Sequence, residues 1–288
     1  MKDTISIGID IGGSHITAAL VDLTSGQIIP GSGTRKAVNS NLDADQILDC
    51  WCAVINEVKA GAEKFHGNVG ISMPGPFDYD AGISLIKDQE KFRSLYLLNV
   101  KEALASRLDF DGDQFRFIND AAGFLQGEVF GGAARGHEQV IGLTLGTGLG
   151  SAIYSDQKSQ DAALWNSAFK DGIAEDYLST RWFIQRCKDL SGLEINGVKE
   201  LVELDNNSQL KAQIFKEFGT NLGEFLLPLI KMHQPTVVVL GGNIANTFDL
   251  FMPTLTQILI NHDLQTLIKI AELKEDASLI GAASCWNT

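Results

Sequence analysis

ISIGIDIGGSHITAALVD, residues 5–22, reads as a strand, a glycine turn and a second strand. Ile5, Ile7, Ile9 and Ile11 carry the first apolar run. Gly12-Gly13 break it, and Ile16, Ala18 and Leu20 restart it with period two. Two β-branched runs around Gly-Gly predict a hairpin. The unusual residue is Asp10, a carboxylate at the mouth of the turn. A turn whose backbone N–H groups converge suits a magnesium-bound phosphate, and an acid beside it suits the metal. An aspartate there could equally cap its own backbone in a surface turn.

The stretch has an echo. With Asp10 placed over Thr144, Gly12 falls on Gly146 and Asp22 on Asp156. Both segments read strand, glycine turn, strand. The expectation is two related α/β halves with a cleft between them, each presenting a glycine turn, since ligand pockets favour domain interfaces. Elsewhere strands alternate with helices: a helix over 44–64, a strand over 67–73 stopped by Pro74-Gly75-Pro76, a short helix over 99–108, and a strand over 115–118 followed by a helix from Ala121. Residues 77–98 and 156–172 look irregular. Helices are expected over 174–190, 198–204 and 208–232, then an apolar strand at Thr236–Leu240 ended by Gly241-Gly242, a helix to about 260, a strand at 267–271 and a helix at 278–286. The Asp111-Gly112-Asp113 turn suggests domains at 1–118 and 119–288, with the last helix free to pack back on the first.

The 288 residues, 44% hydrophobic and 20% charged, can bury a sizeable core. A net charge of −13 argues against a nucleic-acid surface, which needs a basic stripe. It does not exclude a nucleotide held by backbone amides. No apolar run has the length of a membrane span, and no leader precedes the first strand, so a cytoplasmic location is expected. Cys50, Cys52, Cys187 and Cys285 form no C-x-x-C pair, and His15, His66, His137, His233 and His262 are scattered, so a structural zinc site is not expected. There is no P-loop and no G-x-G-x-x-G opening a helix. The run Lys87–Arg93 reads as a solvated loop.

Five segments together resemble the ROK-type sugar kinases (repressor, open reading frame, kinase) of the actin-like ATPase and hexokinase superfamily. They are D-I-G-G-S at 10–14, G-I-S-M-P-G-P at 70–76, N-D-A-A at 119–122 with G-E at 127–128, T-L-G-T-G-L-G at 144–150, and V-V-L-G-G at 238–242. The resemblance spans nearly the whole chain and implies two ribonuclease-H-like domains flanking a cleft. It implies ATP, Mg²⁺ and a hexose or amino-sugar as ligands, commonly in a homodimer. Asp10, Gly12, Gly13 and Ser14 match the first phosphate motif, where the family has Thr at the place of Ser14. Thr144, Gly146, Thr147 and Gly148 match the second, and Gly241 and Gly242 match the turn beside the adenosine. Asn119 and Asp120 match the sugar-binding pair whose Asp is the catalytic base, and Pro74-Gly75 a loop beside the sugar. Asp10 becomes the candidate for holding Mg²⁺ through water.

The chain departs from the family at ALWNSAFKDGIAEDY, residues 163–177. The family's E-x-G-H histidine and its zinc-binding cysteines are missing here. Glu175, in G-I-A-E-D-Y-L-S, matches the family's last sugar-binding Glu, although an acid at a helix start also suits the dipole. Trp165 and Asn166 are candidates to replace the histidine as sugar contacts. Asp120 has two readings: general base for a sugar hydroxyl, or N-cap of the helix from Ala121. Against a kinase stand a sugar-responsive regulator, which needs a helix-turn-helix extension ahead of the first phosphate motif, a non-catalytic sugar or nucleotide sensor, and an ATPase serving another partner.

Overall fold

The computed structural model describes residues 4–62, 65, 67–87, 91–204 and 208–287. His66 and residues 88–90 of the charged run lie outside them. The chain divides into two compact units, 1–135 with 275–288, and 136–274. The division falls after the helix that follows Asn119, and not at 118/119. That helix packs within the first unit, so the Asp111-Gly112-Asp113 turn lies inside a unit.

In the first unit, β1 (Ile5–Ile11) and β2 (His15–Asp22) form the expected hairpin, with Ile11 opposite Ile16 and Asp10 opposite Thr17. Two short strands follow, β3 (Gln27–Ile28) and β4 (Thr34–Ala37), both paired to β2. Helix α1 (Ala44–Ala60) is capped by Asp43, whose side chain accepts from Gln46 N–H. Then come β5 (Val69–Met73), a small hairpin of β6 (Phe77–Asp78) and β7 (Ile83–Ser84), α2 (Val100–Leu108), β8 (Phe115–Asn119) and α3 (Asp120–Gly131). The sheet order is β3-β2-β1-β5-β8, with β1, β5 and β8 parallel.

Alternation gives this sheet two different faces. Ile7, Ile9 and Ile11 bury against Trp51, Val54 and Val58 of α1. Ser6, Gly8 and Asp10 point the other way, beside Gly70 and Ser72 of β5. A Cβ at Gly8 would lie 2.2 Å from the Leu279 carbonyl oxygen, and one at Gly70 would lie 1.9 Å from that of Ala282. The C-terminal helix Ala277–Ser284 therefore seats directly on this small-residue face, within the first unit.

In the second unit, β9 (Val140–Leu145) and β10 (Leu149–Ser155) form the echoing hairpin. Residues 156–172, expected as a loop, contain β11 (Lys158–Asp161), a 3-10 turn at Leu164–Asn166, and the hairpin β12 (Ala168–Phe169) with β13 (Gly172–Ile173). The single helix expected over 174–190 is two, α4 (Ala174–Tyr177) and α5 (Thr180–Ser191). Helices α6 (Val198–Glu203) and α7 (Ser208–His233) follow, then β14 (Val237–Gly241), α8 (Phe248–Asn261) and β15 (Leu267–Ile270). The order β11-β10-β9-β14-β15 repeats the first sheet, antiparallel on one side of the hairpin and parallel on the other. The repeat slips at the turn: Leu145 faces Leu149, so the second loop is one residue tighter than the first. Phe183, Phe215, Phe218 and Phe251 form the centre of this core.

Candidate active site

Each unit carries one glycine turn with open amides. In the first, Gly12 N–H closes the loop onto His15 O at 2.8 Å. Among the described residues the Gly13 and Ser14 amides meet no acceptor. In the second, Gly146 N–H bonds Gly148 O at 3.1 Å, and the Thr147 and Gly148 amides are open in the same sense. Successive unpaired N–H groups in a glycine turn form an anion-binding concavity. The Ser14 hydroxyl meets His15 Nδ1 at 2.9 Å and stays exposed.

Asp10 is the penultimate residue of β1, in register with Thr17 and Ser72 on its two neighbours. Its carboxyl is pushed up to about 6, chiefly by burial and then by the Asp120 carboxylate nearby. Arg35 and the Ser72 hydroxyl pull it down, and Glu275 raises it slightly. Ser72 Oγ is itself buried and lacks a well-formed hydrogen bond, so its help is weak. Two carboxylates held close in a half-buried setting is an arrangement that a cation relieves. Two neighbouring carboxylates are hard oxygen donors of the kind that suit Mg²⁺, which keeps part of its hydration shell.

The Asn119-Asp120 pair resolves into two separate jobs. Asn119 is the N-cap of α3: its Oδ1 accepts from Ala121 N–H at 2.9 Å and Ala122 N–H at 3.2 Å. Its Nδ2 donates to the Tyr79 hydroxyl at 3.2 Å, and that hydroxyl donates to Met73 O at 3.2 Å. The cap role weighed for Asp120 thus belongs to its neighbour. Asp120 is the first helical residue, exposed, with Oδ1 2.9 Å from the Ala121 nitrogen. Tyr79 also backs the Pro74-Gly75 loop, since a Cβ at Gly75 would come within 3.1 Å of its hydroxyl. Tyr79 gave no signal in the sequence because it lies in the stretch read as irregular.

In the second unit Glu175 is already engaged. Its Oε2 accepts from Leu149 N–H at 3.0 Å, and its Oε1 pairs with Arg181 Nη2 at 2.6 Å. A Cβ at Gly148 would sit 2.4 Å from Oε2, so the turn needs glycine there to admit this carboxylate. Thr180 fastens the same turn, its N–H and hydroxyl both donating to Gly146 O, at 2.8 and 2.9 Å. Neither Thr180 nor Arg181 was singled out in the sequence. Asn166 ends the exposed 3-10 turn that Ser151 Oγ anchors through Leu164 N–H. Thr144, the penultimate residue of β9, lies beside Gly241, its register partner in β14. Gly242 follows at φ +83°, where a Cβ would lie 2.3 Å from Leu145 O, so side chains are excluded on two counts. Among the described residues no group of three or more His, Cys, Asp or Glu could hold a metal. None of the described helices is long and apolar enough to cross a membrane.

Comparison with known proteins places these segments in one family. The ROK family profile matches residues 6–162 and 170–288. The interval it skips, 163–169, lies where the sequence leaves the family pattern. The chain is 27% identical to N-acetyl-D-glucosamine kinase of Histophilus somni over 97% of its own length and 98% of that protein's. It is 24% identical to the glucokinase of Thermotoga maritima over 96% of both chains. Among solved structures, a ROK family glucokinase from Streptomyces griseus in complex with glucose and AMPPNP superposes with a TM-score of 0.73. That protein is 24% identical over 98% of both chains, and the likeness establishes the fold.

Proposed function

The chain belongs to the ROK family, and on that premise we propose that it moves the terminal phosphate of ATP to a hydroxyl of a hexose or amino-sugar, with Asp120 as general base. One observation carries the assignment of the base. The N-cap of α3 is Asn119, and Asp120, the exposed first residue of that helix, holds its carboxylate near that of Asp10.

A sugar hydroxyl is a weak nucleophile, and a carboxylate in hydrogen-bond reach takes its proton as the new bond forms. The sugar oxygen bonds to the terminal phosphorus, the bond from that phosphorus to the ADP oxygen breaks, and the proton ends on Asp120. Protein catalysis of such a step is mainly positioning and charge compensation. Asn119 holds the helix start and, with Pro74-Gly75, borders the sugar. The open amides of Gly13, Ser14, Thr147 and Gly148 receive phosphate oxygens, and Gly241-Gly242 lie against the adenosine. Asp10 holds Mg²⁺ through water; the ion supplies charge compensation on the phosphates when bound. Asn166 faces the sugar in place of the absent histidine, and Glu175 contributes mainly by fastening the second turn. The reading includes a cytoplasmic location and, as the family resemblance implies, a homodimer, which sedimentation tests.

A coupled ADP-release assay with Mg-ATP against glucose, mannose, N-acetylglucosamine, N-acetylmannosamine and β-glucosides tests the reaction. Turnover on at least one sugar is expected. In a folded Asp120→Asn protein it should fall by roughly 10²- to 10⁴-fold, the usual worth of a positioned base. Nucleotide binding without turnover on any sugar, or near-normal turnover by Asp120→Asn, rejects the assignment. The first result would favour a sensor.

A further inference from the structure

Lys91 belongs to the charged run Lys87–Arg93, which the sequence alone assigns to solvent. The structure puts it elsewhere. Its side chain crosses Gly13: a Cβ added to that glycine would come 3.0 Å from Lys91 Cδ and 4.0 Å from Nζ. The lysine is delivered there by a built support. The next residue, Phe92, is fully buried and packs edge-on against Trp51 with ring centroids 5.5 Å apart. Phe92 N–H bonds Ser40 O at 2.9 Å, and two residues earlier Val38 N–H bonds Ser14 O at 2.8 Å. Residues 38–40 therefore tie the glycine turn and the Lys91 backbone to one short segment.

The turn below offers the Gly13 and Ser14 amides, open among the described residues. Lys91 is half-buried, and among the described residues its amine forms no ion pair. Two amides and an ammonium converging on one loop is a donor set for a doubly charged phosphate, and no sugar hydroxyl calls for it. We propose that Lys91 is a phosphate-binding residue that grips the transferred phosphoryl group at the first glycine turn. The proposal rests on the kinase reading and adds to it a cation that none of the glycine motifs contains. The ammonium serves as a point charge on a mobile stem, so it can follow the phosphate from ATP to the product. No bond to Lys91 forms in the reaction.

The test is calorimetric binding of Mg-AMPPNP and of Mg-ADP to the full chain, with Lys91→Met and Lys91→Arg beside the wild type. Loss of one charge-assisted contact should weaken AMPPNP binding by about tenfold or more in Lys91→Met. ADP binding should change by less than about twofold, and Lys91→Arg should recover most of the loss. Methionine keeps the stem that covers Gly13, so the fold should persist; if its melting curve shows otherwise, Lys91→Gln replaces it. Equal affinities for AMPPNP in wild type and Lys91→Met overturn the proposal, as does an equal loss for both nucleotides. Wild-type protein that binds neither nucleotide overturns the kinase reading itself, whereas wild-type binding with an indifferent variant overturns Lys91 alone.

Discussion

At the scale of single residues, the carboxyl of Asp10 carries a measurable signature. Burial and the neighbouring Asp120 raise it from 3.8 to about 6. A group whose folded value exceeds its unfolded one holds its proton more tightly when folded. Its stabilising effect is complete below about pH 4 and is lost as the pH rises through about 6, the reverse of an acid in a salt bridge. Metal-free protein should therefore lose stability across that window, and Asp10→Asn should flatten the loss. Mg²⁺ with ADP should flatten it too, because a bound cation favours the charged form. Urea melts between pH 4 and 7 check this; an unchanged slope in Asp10→Asn would remove Asp10 as its source. The same window limits what sequence can tell: the acid beside the glycines was visible, but its partner Asp120 is far along the chain and meets it only through the β1-β5-β8 register.

Elements show where local patterns stop carrying information. The two hairpins were legible because alternation with a glycine break is a local signal, and the repeat survives a one-residue difference in loop length. Asn119 and Asp120 were legible as a pair. Which one caps α3 was not, since either side chain can do it and Tyr79 decides by fixing the Asn119 amide. Glu175 was legible as an acid near a helix start, and its role depends on partners in other elements. Its carboxylate bridges Leu149 N–H in β10 and Arg181 in α5. Glu175→Ala should leave the N–H of buried Leu149 without an acceptor, a loss of about 1–3 kcal/mol. Glu175→Gln should recover most of that, because an amide oxygen can still accept. Paired thermal melts and sugar KM values separate the roles: a stable Glu175→Ala protein with only a raised sugar KM would make Glu175 a plain sugar ligand.

Taken whole, the chain builds the same five-strand order twice and then returns to its beginning. The return explains why the domain boundary escaped the sequence. A turn such as Asp111-Gly112-Asp113 marks a break in local structure, but unit membership is set by packing. Gly127 and Gly281 bring α3 and the C-terminal helix into backbone contact: a Cβ at Gly281 would lie 1.8 Å from Gly123 O, and one at Gly127 2.0 Å from Ala277 O. Helix α3 is thereby held in the first unit by a segment from the far end of the chain. The sheet beneath relies on the same closeness, with Gly70 facing the Ala282 carbonyl. Gly70→Ala must displace the helix or the strand, and overpacking of this severity should cost about 3 kcal/mol or more. Gly33→Ala, with nothing within 4 Å of the added carbon, is the matched control and should stay within about 0.5 kcal/mol of wild type. Because Gly8, Asp10 and Gly70 share one face, the displacement should also reach the Asp10 site, so nucleotide affinity should fall together with the melting temperature. Calorimetry of both variants with and without Mg-ADP reads the two effects at once. A Gly70→Ala protein that melts with the Gly33→Ala control would show that the C-terminal helix does not hold this face closed.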